Sequence, residues 1–165
     1  MGTRGLSLVE MMVVIAITAT LASIGAISFQ KYQKSYRIDA QTRLLFAEML
    51  KARTQAIYQH RGTRVKFYPN RFEVYSSVQE GPQVSPVATH LFSFPVTWNF
   101  SGFDNPNGIT FDEIGIASNY GSICVDSAAG YGGVDSVVVH YVRISIGKKD
   151  KGNECSSSSG SITLK

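Results

Sequence analysis

The sequence predicts an α+β protein: one long N-terminal helix, membrane-spanning in its first half, packed through its second half on an antiparallel β-sheet head. Three observations carry that prediction. Residues 6–29 hold 17 apolar side chains in 24 positions and one charge, Glu10. Residues 30–61 keep apolar side chains at helical spacing on a single stripe. From Thr63 onward, short β-branched and aromatic runs alternate with Gly, Pro, Asn and Ser.

Composition agrees. Hydrophobic residues make up 44% of the 165 and charged residues 17%, enough for one core and too apolar for a disordered chain. Mean hydropathy is close to zero, high for a small soluble domain. That average hides a split, because residues 30–165 are apolar at 54 of 136 positions, an ordinary globular share. A plain cytosolic globule and a polytopic membrane protein are both excluded. What is left is one hydrophobic segment joined to one soluble domain.

A bilayer core of roughly 30 Å takes about 20 helical residues, and the stretch from Leu6 to Phe29 is that long and free of proline. A cleaved secretory signal would have a shorter apolar region, about 7–15 residues, and a small-residue cleavage site after it. A simple anchor must account for Glu10, since a charge inside hydrocarbon costs at least about 2.5–3.5 kcal/mol. No Lys or Arg lies between residues 5 and 30 to pair with it. A partner must come from outside this helix, or the carboxyl must be protonated.

The stretch Gly5-Leu6-Ser7-Leu8-Val9-Glu10, behind the basic Arg4, resembles the type IV prepilin cleavage motif. The resemblance implies cutting after Gly5 by a prepilin peptidase and N-methylation of the new terminus at Leu6. Leucine replaces the family's usual phenylalanine there. Glu10 would then pair with the terminal amine of a neighbouring subunit, so that an otherwise costly buried carboxylate enforces axial register. Arg4 lies on one flank of the span and Lys31, Lys34 and Arg37 on the other, so charge counting does not place the head outside. The resemblance does.

Over residues 30–61, Ile38, Leu45, Met49, Ala52 and Ala56 form the stripe, with Asp39–Arg43 and Glu48–Lys51 as exposed ion pairs. Gly62 reads as the C-cap. One helix is therefore expected from about 6 to 61. Pilins often carry a proline near the end of the apolar half; here there is none, and Gly25 is the one weak point. Strands are expected at Thr63–Tyr68 and Arg71–Ser76 around a Pro69-Asn70 turn, then at Leu91–Phe94, Val96–Phe100, Ile109–Phe111, Ser122–Asp126, Val134–Ile146 and Ser161–Leu164. The run from Val134 is long enough to bend or split. Cys124 and Cys155 are expected to form a disulfide on compartment grounds, the alternative being two separate thiols.

The head extends the resemblance. Ala52-Arg53-Thr54-Gln55-Ala56-Ile57 and Ile109-Thr110-Phe111-Asp112-Glu113-Ile114-Gly115 look like segments of H-type minor pseudopilins and FimT-like minor pilins. Val137-Val138-Val139 followed by Arg143-Ile144 looks like their late strand. The implied organisation is a leader at 1–5, a transmembrane and filament-core helix at 6–29, its amphipathic continuation at 30–61, and a head at 62–165. The implied function is that of a structural minor pilin or pseudopilin of a type IV pilus or type II secretion machine. It would sit in the bacterial inner membrane as a single pass with its head in the periplasm, and then in a filament. Implied partners are other pilins, the prepilin peptidase, the inner-membrane assembly platform and, before assembly, membrane lipid.

Charge is polarised along the chain. Residues 31–61 carry seven Lys/Arg against two acids, 62–142 carry three against seven, and 143–165 carry five against two. Some FimT-like relatives bind DNA through a basic Gly-Arg-x-Arg segment, for which His140-Tyr141-Val142-Arg143 retains the last arginine alone. Arg143, Lys148, Lys149 and Lys151 could rebuild a basic patch, so DNA binding during uptake is the alternative function. No catalytic constellation is visible. His60, His90 and His140 are isolated, the Gly-rich and Gly-x-Ser-x-Gly motifs are missing, and Asp112-Glu113 read as turn residues. Neither an enzymatic role, a cofactor nor a metal is expected.

Overall fold

The computed structural model describes residues 7–79, 83–101, 107–125, 133–150, 154–156 and 161–165, with backbone alone at Ile27. Gly5, Leu6, Asp126 and Lys151 lie outside them. Helix α1 runs unbroken over Leu8–Gln59, 52 residues, or about 78 Å at 1.5 Å per residue. It passes straight through Gly25, around which an added Cβ would meet nothing within 4 Å.

Nine strands follow: β1 Thr63–Tyr68, β2 Arg71–Tyr75, β3 Ala88–Leu91, β4 Val96–Ser101, β5 Gly108–Phe111, β6 Tyr120–Val125, β7 Ser136–Val139, β8 Ile144–Lys149 and β9 Ile162–Leu164. They make two antiparallel sheets, ordered β3-β2-β1-β5 and β4-β6-β7-β8-β9. The second half of α1 lies across both. Its expected stripe is buried at every position, from Ile38 to Ala56. Thr42 fills the gap between Ile38 and Leu45, satisfying its buried hydroxyl on the Ile38 carbonyl at 2.9 Å. Ala52 and Ala56 have no side chain beyond Cβ, so the backbones come close: the Thr63 hydroxyl donates to the Ala52 carbonyl at 2.9 Å. Period-two alternation supplies the other side of the core. Val65, Phe67, Phe72 and Val74 come from the first sheet; Ile123, Val125, Val137 and Val139 come from the second.

Three expectations change. The helix ends at His60, in the left-handed region at φ 46°, with Arg61 N–H reaching the Ala56 carbonyl at 3.2 Å. Gly62 is thus not the cap. It is small because Val78 and the Phe111 carbonyl crowd the place of a Cβ. The strand expected at Leu91–Phe94 is instead β3, three residues earlier. Ser93 and Phe94 N–H donate to Gln41 Oε1 at 2.9 and 3.0 Å, and Gln41 Nε2 donates back to the Phe94 carbonyl. The helix therefore holds a segment that would otherwise read as strand, just before Pro95. The run from Val134 splits into β7 and β8, because His140 and Arg143 exchange both backbone hydrogen bonds around Tyr141-Val142. That is a tight hairpin without glycine or asparagine.

Asp39 locks the first turn of the packed half to the head. Its carboxylate accepts from Arg43 Nε at 2.6 Å and from Val134 N–H at 2.9 Å. The adjoining Gly133 has φ +84°, and a Cβ there would press on Asp39 Oδ1 at 2.9 Å. Burial alone would raise the Asp39 carboxyl, but the Arg43 and Val134 donors outweigh it and hold it below its ordinary value. A disulfide joins Cys124 in β6 to Cys155, with Cα atoms 5.9 Å apart. It ties the segment after β8 to the centre of the second sheet.

Two outcomes follow from these fastenings. Because the folded pKa of Asp39 lies below the unfolded one, its stabilisation is full above about pH 4 and fades as pH falls through the folded value. Asp39→Asn should cost about 1 kcal/mol at pH 7 and progressively less on acidification, as read by denaturant unfolding at each pH. Cys155→Ser should lower stability by about 2–4 kcal/mol. A reductant should cost the parent protein the same amount and leave the variant unchanged.

Candidate functional site

The exposed half of α1 is the chemically unusual part of the molecule. Ser7 is extended and precedes the helix, and Glu10 lies in the first turn, where a carboxylate also complements the helix dipole. Glu10 and the apolar side chains described around it, among them Leu8, Val9, Met12, Ile15, Leu21, Ile24 and Phe29, are all exposed. Three hydroxyls in this stretch turn back onto the helix. Thr18 bonds the Val14 and Ile15 carbonyls, Thr20 bonds Ile17 and Ser23 bonds Ala19, at 2.7–3.0 Å. Such back-bonding leaves no hydroxyl proton of these three facing outward unsatisfied, as an apolar solvent requires. The span from Leu8 to Phe29 is about 33 Å long, matching a bilayer core. By length and composition α1 can cross a membrane.

Of the basic residues expected in a nucleic-acid patch, Lys151 lies outside the described residues, and the other three sit in β8 and the turn before it. Arg143 is exposed at the β7–β8 turn. Lys148 and Lys149 are consecutive in β8 and so point to opposite faces of the sheet. Lys148 lies opposite Thr163, and the Lys149 N–H is held by Asp135 Oδ1 at 2.6 Å. Beside Arg143, Tyr120, His140 and Tyr141 pack ring to ring with centroids 5.3–6.0 Å apart. This cluster braces the hairpin.

Nothing resembling an active site is assembled among the described residues. No three His, Cys, Asp or Glu side chains gather there as metal ligands. One titratable cluster among the described residues centres on Glu73, and its carboxylate is fully engaged. Glu73 accepts from Arg71 Nε at 2.6 Å and from the Tyr75 hydroxyl at 2.5 Å. Burial would raise Glu73, but those donors hold it below its usual range, while burial and then Glu73 push Tyr75 up. A carboxylate so engaged is no general base. Asp112 likewise caps its own turn, accepting from the Ile114 and Ile116 N–H groups. At the helix–head joint the sequence shows the local Asp39–Arg43 pair, but not the Asp39 bond to Val134 or the role of Gln41, whose partners lie 52 or more positions away.

Comparison with known proteins agrees with this geometry. Residues 1–26 match the prokaryotic N-terminal methylation motif. The fold is similar to that of the type IV minor pilin FimU of Pseudomonas aeruginosa PAO1, with 16% identity and a TM-score of 0.50 over 72% of this chain and 91% of that one. A second crystal form of FimU gives 18% identity and a TM-score of 0.47 over 65% and 90%. No curated protein matches in sequence at a significant level. The chain thus joins a prokaryotic N-terminal methylation motif to a fold similar to that of a type IV minor pilin, a long helix laid on antiparallel sheets.

Proposed function

We propose that the chain is a minor pilin or pseudopilin subunit that assembles into, or primes, a type IV pilus or a type II secretion pseudopilus. One observation carries the reading: the methylation motif opens a helix whose whole apolar half is left uncovered by its own head. Such a surface needs either lipid or other helices of its kind. In this reading prepilin peptidase cuts between Gly5 and Leu6, and Leu6 is N-methylated. The chain waits in the inner membrane as a single pass with its head in the periplasm. Glu10 then pairs with the terminal amine of a subunit already in the filament. The charged pair is desolvated only in the correct axial register, which makes register a matter of energy as well as shape.

Mass spectrometry of the mature protein tests the processing. An N-methylated terminus at Leu6 is expected; an intact Met1 or a cut near residue 26 would refute it. Glu10→Ala should be processed normally yet fail to enter filaments, as followed by shearing and immunoblotting. Normal incorporation would remove the register role.

A further inference from the structure

Immediately beyond the apolar half, α1 carries three cations in seven residues: Lys31, Lys34 and Arg37. All three are exposed, and none makes an ion pair among the described residues. The first acid after them, Asp39, is already engaged by Arg43 and Val134. Tyr32 and Tyr36 are 70% and 65% exposed at the same level, beside a groove of about 510 Å³ that reaches Gly133. We propose that Lys31, Lys34 and Arg37 form a collar that docks on the headgroups of anionic phospholipids in the head-side leaflet, with Tyr32 and Tyr36 as its interfacial aromatics. The inference rests on α1 spanning a membrane.

Depth, direction and charge all support the lipid as occupant. Counted from Phe29, the collar starts about 3 Å and ends about 12 Å along the helix. A headgroup layer is about 5–8 Å thick, and lysine and arginine stems can bend back toward it. Residues three apart on a helix are offset by about 60°, so the three cations fan over about 120° of its circumference and meet several headgroups rather than one. Tyrosine, apolar in body and polar at its tip, favours this same boundary. The collar also gives a reason for three cations on the flank that positive-inside counting would leave nearly uncharged.

The test uses the full chain reconstituted in phosphatidylcholine bilayers, with spin-labelled phosphatidylglycerol or spin-labelled phosphatidylcholine as the reporter. Electron spin resonance then reads the fraction of each lipid immobilised on the protein. Phosphatidylglycerol should associate about 3–10-fold more strongly, and the preference should shrink as salt rises. The combined Lys31→Gln, Lys34→Gln and Arg37→Gln variant keeps Arg4 and should lose most of the preference. Equal association of the two lipids, or a preference that survives in the variant, would overturn the collar. Membrane insertion is read separately, by retention in vesicles after an alkaline carbonate wash. A chain that washes off refutes the spanning reading and the collar together, whereas a retained chain with no lipid preference refutes the collar alone.

Discussion

The head is built on one narrow strip of α1. Ile38, Thr42, Leu45, Met49, Ala52 and Ala56 recur at steps of four and three and are all buried. That step pattern keeps contacts on one side of a helix for about five turns. The strip is large-sided toward Ile38 and Met49 and nearly bare at Ala52 and Ala56. The sheets can therefore approach the backbone closely at the distal end, where the Thr63 hydroxyl reaches the Ala52 carbonyl. Both sheets need this strip. Each has one apolar face, and the second closes over α1 through β6, β7 and β8 as the first does through β1, β2 and β5. Away from the helix the two sheets meet each other, where Phe67 of β1 packs on Trp98 and Phe100 of β4.

The same continuous helix has to satisfy two solvents. Up to Phe29 it is apolar on every side apart from Glu10, and Thr18, Thr20 and Ser23 turn their hydroxyls onto the helix; from Ile38 on it is one-sided. Between the two lies a short stretch that belongs to neither, marked by tyrosines and cations. It ends at Asp39, where the Arg43 and Val134 hydrogen bonds begin to hold the head. Hydrophobicity changes sharply over these residues while the backbone does not break. An added loop or a proline would have separated the two functions mechanically; an uninterrupted helix couples them.

Much of the fold was legible because it depends on local periodicity. The stripe on α1, the Pro69-Asn70 hairpin and the alternation of Val65, Phe67, Phe72 and Val74 all follow from neighbours in sequence. The misreadings have two causes: distant partners that sequence does not reveal, and local turns and caps made without glycine. Gln41 turned an aromatic run into a loop. A tight turn with no glycine split the strand from Val134. The Asp39 bond to Val134 crosses 95 positions. At the candidate site, Glu10 and the leader were readable as a motif in a setting where charge is rare. That Lys148 and Lys149 point to opposite faces of β8 is equally legible in the sequence, once the strand is assigned.

The unbroken course of α1 through Gly25 has a mechanical consequence. A subunit held by its apolar half and loaded at its head transmits force along a rod with no joint to extend. The load enters the head at Asp39 and runs parallel to the buried strip. It strains those contacts in shear, all together, instead of peeling them one after another. A helix with a kink at residue 25 would bend first and take up part of the pull. Here the head and the anchor move as one lever, and a sideways tilt bears on the Asp39–Val134 hydrogen bond near the start of the packed half.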